Sequence, residues 1–258
     1  MIIIQPSIDP TLISFGFLDI RWYSLSYIFA FIFGSILIKK LNRQSFNLLS
    51  NTQIDKFFIW AVIGVIIGGR FGYVFFYQPK LFFLEPLYLF AIWKGGMSFH
   101  GGLIGIILSI YLFAKKNNVN FFYLSDLVSV VAPIGLFLGR VSNFINTELY
   151  GRVTDFPFAF IYPLIDNNPR HPSQLYEALF EGIVLFFILY LYFNKNPKKY
   201  KIGIISAYFL IMYSIFRFCI EYLREPDLHL GLFFNYFSMG QILCIPIFLA
   251  GLLIVFRK

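Results

Sequence analysis

Seven long apolar runs divide the sequence, and they constrain the fold more than any other feature. They cover about residues 22–38, 57–77, 98–114, 124–139, 175–193, 203–223 and 237–256. Each run is close to the roughly 20 residues that a helix needs to cross a hydrocarbon core of about 30 Å. A backbone in lipid must satisfy its own hydrogen bonds, and these runs lack the alternating pattern of strands. The sequence therefore predicts an all-α membrane protein with seven transmembrane helices.

Composition supports the same class, because 59% of the 258 residues are hydrophobic and only 13% are charged. The first 20 residues contain Asp9 and Asp19 and lack a basic start and a cleavage site, so we expect no cleavable signal peptide. Cys219 and Cys244 both lie in apolar runs and are interpreted as packing residues. Internal repeats and linkers are not evident, so we expect one integral membrane domain over residues 1–258.

Basic residues at the ends of the apolar runs predict the orientation. If the seven helices alternate in direction, twelve cations fall on one side, namely Lys39, Lys40, Arg43, Lys56, Lys115, Lys116, Lys195, Lys198, Lys199, Lys201, Arg257 and Lys258. The positive-inside rule assigns that side to the cytoplasm, with the N-terminus outside and the C-terminus inside. This pattern also accounts for the formal charge of +8 without nucleic acid as a partner.

Two of the predicted outer segments have unusual composition. Residues 140–174 are polar and contain prolines, and we expect them to form a small outer-face cap. Residues 78–97 are too apolar for an ordinary loop, which predicts a short interfacial helix over about 80–94.

Several ionisable residues lie inside or beside the apolar runs, where a charge is costly and therefore suggests function. Arg217, Glu221 and Arg224 are spaced so that they share one helix face. Glu177 and Glu181 are four residues apart in the fifth run. Arg70, His100, Arg140, Asn143, Asn146 and Glu148 complete the set.

The chemistry of these residue types points to an anion. Arginine binds phosphate through two parallel hydrogen bonds, so Arg70, Arg140 and Arg217 suggest a phospholipid headgroup as ligand. His100 lies at the mouth of a membrane helix and is a candidate general base. Histidine, cysteine and acidic residues do not cluster at metal-ligand spacing, and we expect neither a metal nor another cofactor.

Four sequence blocks resemble the prolipoprotein diacylglyceryl transferase family. The family signature G-R-x-[GA]-N-F-x-N-x-E-x-x-G is matched by GRVSNFINTELYG at 139–151, where Ser142 replaces the usual Gly or Ala. HGGLIG at 100–105, RHPSQLYE at 170–177 and SMGQILCIP at 238–246 also look like the family, in the family's order.

The resemblance implies a bacterial cytoplasmic (inner) membrane enzyme. Such enzymes transfer the diacylglyceryl group of phosphatidylglycerol to the lipobox cysteine of a prolipoprotein signal peptide, which forms a thioether and releases glycerol phosphate. This is the first step of lipoprotein maturation. The positions that match the family's important residues are Tyr23, His100, Arg140, Asn143, Glu148, Gly151 and Arg217.

We expect the following roles. His100 accepts the thiol proton, while Arg140 and Arg217 stabilise the charge on the leaving phosphate. The remaining expectations are that Tyr23 positions the lipid or its phosphate, that Asn143 and Arg70 contact phosphatidylglycerol, that Asn146, Glu148 and Glu221 orient the site, and that Gly151 permits a turn.

Two other functions use the same residues. A transporter or flippase of an anionic lipid would need the arginines, with Glu177 and Glu181 along a conduction path. A structural or assembly subunit would use the charges only to bind other helices.

Overall fold

The computed structural model describes residues 2–16, 19–226 and 236–257, with Lys94 described by its backbone alone. Over these residues it is mostly helical. The α-helices are α1 (Trp22–Gln44), α2 (Asn51–Tyr77), α3 (Pro79–Leu84), α4 (Phe99–Asn117), α5 (Phe121–Ile145), α6 (Ser173–Glu177), α7 (Leu185–Lys195), α8 (Ile204–Ile220) and α9 (Met239–Phe256).

Six of the described helical spans are long and apolar enough to cross a membrane. They are α1, α2, α4, α5, α9 and the continuous span Ser173–Lys195. The helical membrane architecture predicted from the sequence is thus confirmed. The sixth apolar run forms α8, which is apolar but has only 17 residues.

The helix α2 begins six residues before its predicted apolar run. Ser50 accepts a hydrogen bond from the backbone N–H of Gln53, and the Gln53 side chain accepts one from the backbone N–H of Ser50. This capping box satisfies two backbone donors at the helix start. It extends the helix into polar residues that hydrophobicity alone does not mark.

The span Ser173–Lys195 is not a uniform α-helix. Its middle section, Ala178–Val184, is π-helical and joins α6 to α7. Gly182 lies in this section, and a Cβ there would come within 2.9 Å of the Cα of Phe137 in α5. The glycine therefore allows the π-helical turn to approach α5 closely.

Short strands occur before α1 and between α5 and α6, which the all-α prediction did not include. β1 (Ile3–Ile4) pairs in parallel with β4 (Phe160–Ile161), with Ile3 opposite Phe160. β5 (Pro169–Arg170) pairs antiparallel to β4. A separate antiparallel pair joins β2 (Thr11–Ser14) to β3 (Asp19–Arg21).

The predicted interfacial helix differs from the structure in its continuity. Residues 79–94 form α3 and two 3-10 turns, Pro86–Phe90 and Ile92–Lys94. Pro86 begins the first of these turns and has no N–H to donate to the preceding helix. The position of this segment at a membrane surface stays a prediction.

Contacts divide the chain into two compact units, Met1–Leu37 with Asp126–Lys258, and Ile38–Ser125. The second unit contains α2 and α4, which are joined along a line of glycines. A Cβ on Gly72 would lie 2.8 Å from the Cα of Gly101, and one on Gly68 would lie 2.9 Å from the Cα of Gly105. Small residues at this spacing allow two membrane helices to pack backbone against backbone. That the whole chain is one domain stays a prediction.

Candidate functional site

Six charged side chains meet inside the first unit. They come from α5 (Arg140), from the span Ser173–Lys195 (Glu177 and Glu181), and from the end of α8 and the residues after it (Arg217, Glu221 and Arg224). Glu177 and Glu181 are fully buried, and the exposed fraction of each arginine side chain is at most 14%.

Glu177 is the centre of this arginine–glutamate cluster. Its Oε2 lies 3.0 Å from Nε of Arg140, at ion-pair distance but without hydrogen-bond alignment among the described contacts. Its Oε1 accepts a hydrogen bond from Nη1 of Arg217 and lies 3.8 Å from Nη1 of Arg224. One carboxylate therefore contacts all three arginines.

The other two carboxylates contact the same arginines from other sides. Glu181 lies 3.5 Å from Nη2 of Arg140 and 3.8 Å from Nη1 of Arg217. Glu221 pairs with Nη2 of Arg217 at 2.6 Å and accepts a hydrogen bond of 2.9 Å from the hydroxyl of Ser238. The three positive and three negative charges balance when all six groups are ionised.

Local sequence brings these groups together. Gly182 allows the turn that carries Glu181 to lie against α5, which carries Arg140. Gly240 does the same at the start of α9, since a Cβ there would lie 2.7 Å from Oε1 of Glu221. Arg140 and Arg217 thus hold their guanidinium groups beside the same two carboxylates. Two fixed forks of this kind are suited to a phosphate.

The signature segment, which includes the last turns of α5 and the residues after it, has its own network. The Asn143 side-chain N–H donates to Glu148 Oε2 at 3.0 Å, and that of Asn146 donates to Glu148 Oε1 at 3.4 Å. Thr147 and Leu149, each with φ of 58°, turn the backbone between them. The asparagines therefore orient Glu148, whereas the described ion pairs of Arg140 run to Glu177 and Glu181.

Close packing accounts for the glycine at position 151, because the positive φ values nearby belong to Thr147 and Leu149. Its N–H donates to the carbonyl of His171 at 2.9 Å, and it forms an antiparallel bridge with Arg224. A Cβ at Gly151 would lie 2.6 Å from the Cβ of His171. A side chain there would push the signature segment away from the backbone of Arg224, a member of the cluster.

The segment 146–172 contains a second ionic contact, outside the membrane helices. Asp166 accepts a hydrogen bond of 2.6 Å from Nη2 of Arg170, whose Nη1 lies 3.3 Å from Glu225. The Arg170 guanidinium lowers the pKa of Asp166 to about 2. Burial lowers the pKa of the neighbouring His171 imidazole below its ordinary value. Both groups belong to the segment 146–172, outside the arginine–glutamate cluster.

Tyr23, another predicted site residue, lies in the first turn of α1. Its hydroxyl is 3.4 Å from the hydroxyl of Tyr27, and the two rings meet edge to face with centroids 5.3 Å apart. A pair of phenol groups at a helix start can donate hydrogen bonds to a phosphate or a glycerol hydroxyl.

The remaining predicted site residues, Arg70 and His100, belong to the second unit. Arg70 is buried in α2, and its guanidinium donates to the carbonyls of Tyr88 (2.7 Å), Leu89 (3.3 Å), Gly95 and Gly96 (3.3 Å). This geometry favours a role in ordering residues 86–96 over contact with a lipid. Its predicted contact with phosphatidylglycerol stays untested.

His100 is exposed in the first turn of α4, next to Phe99, with ring centroids 5.6 Å apart. Ser98 caps this helix by accepting a hydrogen bond from the N–H of Gly101. The imidazole therefore lies exposed at the start of a capped helix.

The sequence assigns Glu177 and Glu181 a function only under the transporter alternative, as part of a conduction path. The structure places both beside Arg140 and Arg217. The available signal was the spacing of two acids by four residues in an apolar run, since buried arginines need such partners.

Comparison with known proteins identifies the same family as the four sequence blocks. The family model described as prolipoprotein diacylglyceryl transferase matches residues 10–257. The chain is similar to proteins named phosphatidylglycerol--prolipoprotein diacylglyceryl transferase from Aeromonas hydrophila (48% identical, covering 96% of this chain and 89% of the relative), Rickettsia bellii (46%, 98% and 96%) and Vibrio cholerae (48%, 97% and 91%).

Proposed function

The chain belongs to the prolipoprotein diacylglyceryl transferase family, and from that premise we propose how its residues perform the transfer. It is an enzyme of the bacterial inner membrane that transfers the diacylglyceryl group of phosphatidylglycerol to prolipoproteins. The transporter and assembly readings are not favoured, because relatives across nearly the whole chain carry the name of a transferase.

The reaction is a displacement at the glycerol carbon that bears the phosphate. The thiol of the lipobox cysteine loses its proton, and the thiolate sulfur forms a bond to that carbon. The carbon–oxygen bond breaks, and its electron pair leaves with the phosphate oxygen of glycerol phosphate. A phosphodiester with one negative charge becomes a monoester with two, so the site must stabilise additional charge on that phosphate.

Arg140 and Arg217 are the groups that supply this stabilisation. The observation that carries the proposal is that two guanidinium groups from different helices contact the same buried carboxylates. Glu177 and Glu181 hold both guanidinium groups in position before the lipid binds. The site therefore needs little reorganisation during the reaction step.

Glu177 is a positioning residue for both arginines, and Glu221 is one for Arg217. The nearest arginine nitrogen to Glu181 is 3.5 Å away, whereas Glu177 and Glu221 each have one at 3.0 Å or less. A phosphate oxygen therefore replaces Glu181 more readily than Glu177 as a partner of the arginines. In this arrangement Glu177 keeps the geometry while Glu181 yields its place to the substrate.

The other site residues keep their sequence-based roles as part of the proposal. His100 accepts the thiol proton, directly or through water, and Tyr23 donates a hydrogen bond to the lipid. Glu148, held by Asn143 and Asn146, shapes the approach to Arg140. Gly151 holds the signature segment close to Arg224.

The proposed topology has seven spans, with α8 as the shortest. The N-terminus lies outside, the C-terminus lies in the cytoplasm, and the segment 146–172 is part of an outer-face cap. The twelve basic residues at one set of helix ends support this orientation. Single cysteines placed at Asp155 and at Lys198 should react with an impermeant thiol reagent from opposite sides of the membrane.

A reconstituted assay tests the function directly. Purified protein, phosphatidylglycerol and a lipobox peptide are incubated, and the peptide mass is measured. Wild type should add one diacylglyceryl group, and folded Arg140→Ala should not. An unmodified peptide after incubation with well-folded wild type would remove the transferase proposal.

A further inference from the structure

A cleft of about 190 Å³ lies between the N-terminal part of α2 and the C-terminal end of α4. It is lined by Lys56, Ile59, Trp60, Phe113, Lys116 and Asn117. All of these residues belong to the second unit, and none of them is part of the arginine–glutamate cluster. The cleft combines two cations, two aromatic rings and one amide.

The cations of this cleft have no acidic partner within 4.0 Å among the described residues. The nearest acid in sequence, Asp55, is paired with Lys39 instead. Residues 38–125 contain nine lysines and arginines but only two acids, a difference of +7. Lys56 and Lys116 are both exposed, so their charges are available to an anionic ligand.

The walls of the cleft are fixed before any ligand binds. The Lys116 ammonium lies 5.4 Å from the centre of the Trp60 ring, at cation–π distance. The Asn117 side chain donates a hydrogen bond of 2.9 Å to the carbonyl of Phe113. The glycine contacts between α2 and α4 hold the two helices together behind these side chains.

An apolar track leads away from the cleft along α2. Ile59 is 60% exposed, and Ile63, one turn further into the span, is 50% exposed. Lysine and tryptophan at the end of a membrane helix lie at the level of lipid headgroups. A molecule that enters the cleft at this level can place an anionic head on the lysines and an acyl chain on the isoleucines.

We propose that this cleft binds the headgroup of an anionic phospholipid from the leaflet at that end of α2 and α4. The phosphodiester pairs with Lys56 and Lys116, the glycerol backbone lies on Trp60, and an acyl chain follows Ile59 and Ile63. The bound lipid is not consumed. The proposal rests on the membrane setting of α2 and α4 and does not depend on the transferase reaction.

Native mass spectrometry of delipidated protein in detergent tests the proposal, with phosphatidylserine as the anionic probe and phosphatidylethanolamine of the same acyl chains as its neutral counterpart. We expect one phosphatidylserine bound in preference to phosphatidylethanolamine. In Lys56→Gln/Lys116→Gln the affinity for phosphatidylserine should fall about 30-fold, because each interfacial lysine contributes roughly a fivefold factor. The matched control Lys198→Gln/Lys199→Gln removes the same charge from lysines that do not line the cleft, and it should change the affinity for phosphatidylserine less than about twofold.

Three results would overturn the proposal. They are unchanged affinity in the Lys56/Lys116 double variant, an equal loss in the control pair, and displacement of the lipid by inorganic phosphate or glycerol phosphate at equal concentration. The last result would identify a free-phosphate site. A photoreactive phosphatidylserine keeps the test valid if the double variant misfolds, because wild type should then crosslink at residues 56–63 and 113–117, and crosslinks only elsewhere contradict the site.

The same measurement separates this site from the substrate site. Arg140→Ala removes a residue of the proposed transfer site and should leave phosphatidylserine binding at the cleft intact. Lipid transfer can therefore fail while the cleft still binds, or the cleft can be empty while transfer proceeds.

Discussion

Replacing Glu177 with glutamine tests the central claim about the site, because this carboxylate contacts Arg140, Arg217 and Arg224. Glutamine has nearly the same shape and retains one oxygen that can accept a hydrogen bond. The change therefore removes a charge without opening a cavity. Three arginines would then face the two remaining acids, Glu181 and Glu221.

The expected magnitude follows from the burial of the group. Glu177 is 0% exposed, and breaking a buried ion pair by removing one partner costs about 3–5 kcal/mol. Because glutamine keeps a hydrogen bond, we expect a loss near the lower end, about 3 kcal/mol of unfolding free energy. Displacement of the Arg140 and Arg217 guanidinium groups should lower kcat about 100- to 1,000-fold, as loss of one aligned donor does in other active sites.

The effect on KM separates positioning from binding. Glu177→Gln makes the cluster one unit more positive, so the affinity for an anionic lipid should hold or improve. A fall in kcat with an unchanged or lower KM is therefore expected. A role in folding alone would lower the amount of active enzyme and leave the KM and the kcat of the folded fraction unchanged.

The assay is lipid transfer from phosphatidylglycerol vesicles to a lipobox peptide, normalised to folded protein measured by size-exclusion chromatography. Glu225→Gln is the matched control, since Glu225 pairs with Arg170 at 3.3 Å but its side chain is 38% exposed. Exposed pairs contribute at most about 1 kcal/mol, so this variant should behave as wild type. Wild-type kcat in folded Glu177→Gln would refute the positioning argument.

Four further predictions concern single sites. Arg140→Lys should lose most activity in the peptide assay, because an ammonium cannot make the forked phosphate contact. Gly151→Ala should lower the melting temperature, since its Cβ would lie 2.7 Å from the carbonyl oxygen of Leu223, whereas Gly139→Ala, with open space around it, should not. Gly68→Ala should separate α2 from α4 and destabilise the protein, while Gly102→Ala, with 3.7 Å to Val65, serves as its control. For His171 the lowered pKa means that the folded state favours the neutral imidazole, so its stabilisation is complete above about pH 6.5 and is lost as pH falls through the folded pKa. The hydrogen-exchange protection of residues 146–172, corrected for the pH dependence of the intrinsic exchange rate, should therefore fall on acidification more in wild type than in His171→Gln.

The sequence predicted the apolar spans well because hydrophobicity is a property of each residue. The helix ends were less predictable. Ser50 and Gln53 begin α2 through a capping box, and Ser238 with Gln241 begins α9 in the same way. The break of residues 79–94 into short turns depends on Pro86 and on the four carbonyls that Arg70 binds. Such contacts join residues that are distant in sequence.

The site was predictable in its residue types and less so in its partners. The sequence predicts Arg140, Arg217 and Glu221 as site residues, and the spacing of Arg217 and Glu221 predicts that they share one helix face. The sequence predicts that Asn143 contacts phosphatidylglycerol and that Glu148 orients the site, and their described side-chain hydrogen bond joins them to each other. The left-handed backbone at Thr147 and Leu149 sets that direction, and neither residue type signals it.

The balance of charges in the cluster explains why acids accompany arginines at a site for phosphate. An arginine without a partner inside a membrane protein is costly, and three together would repel one another. Three glutamates neutralise the three arginines and fix their guanidinium groups, but they also compete with the substrate for these groups. The contacts differ in a way that resolves this competition, since Arg217 and Arg140 are within 3.0 Å of Glu221 and Glu177, while both are at least 3.5 Å from Glu181. Glu181→Gln should then bind phosphatidylglycerol more tightly than wild type with kcat reduced less than in Glu177→Gln. Equal losses of kcat in the two variants would show that the glutamates act as one unit and that neither yields to the lipid.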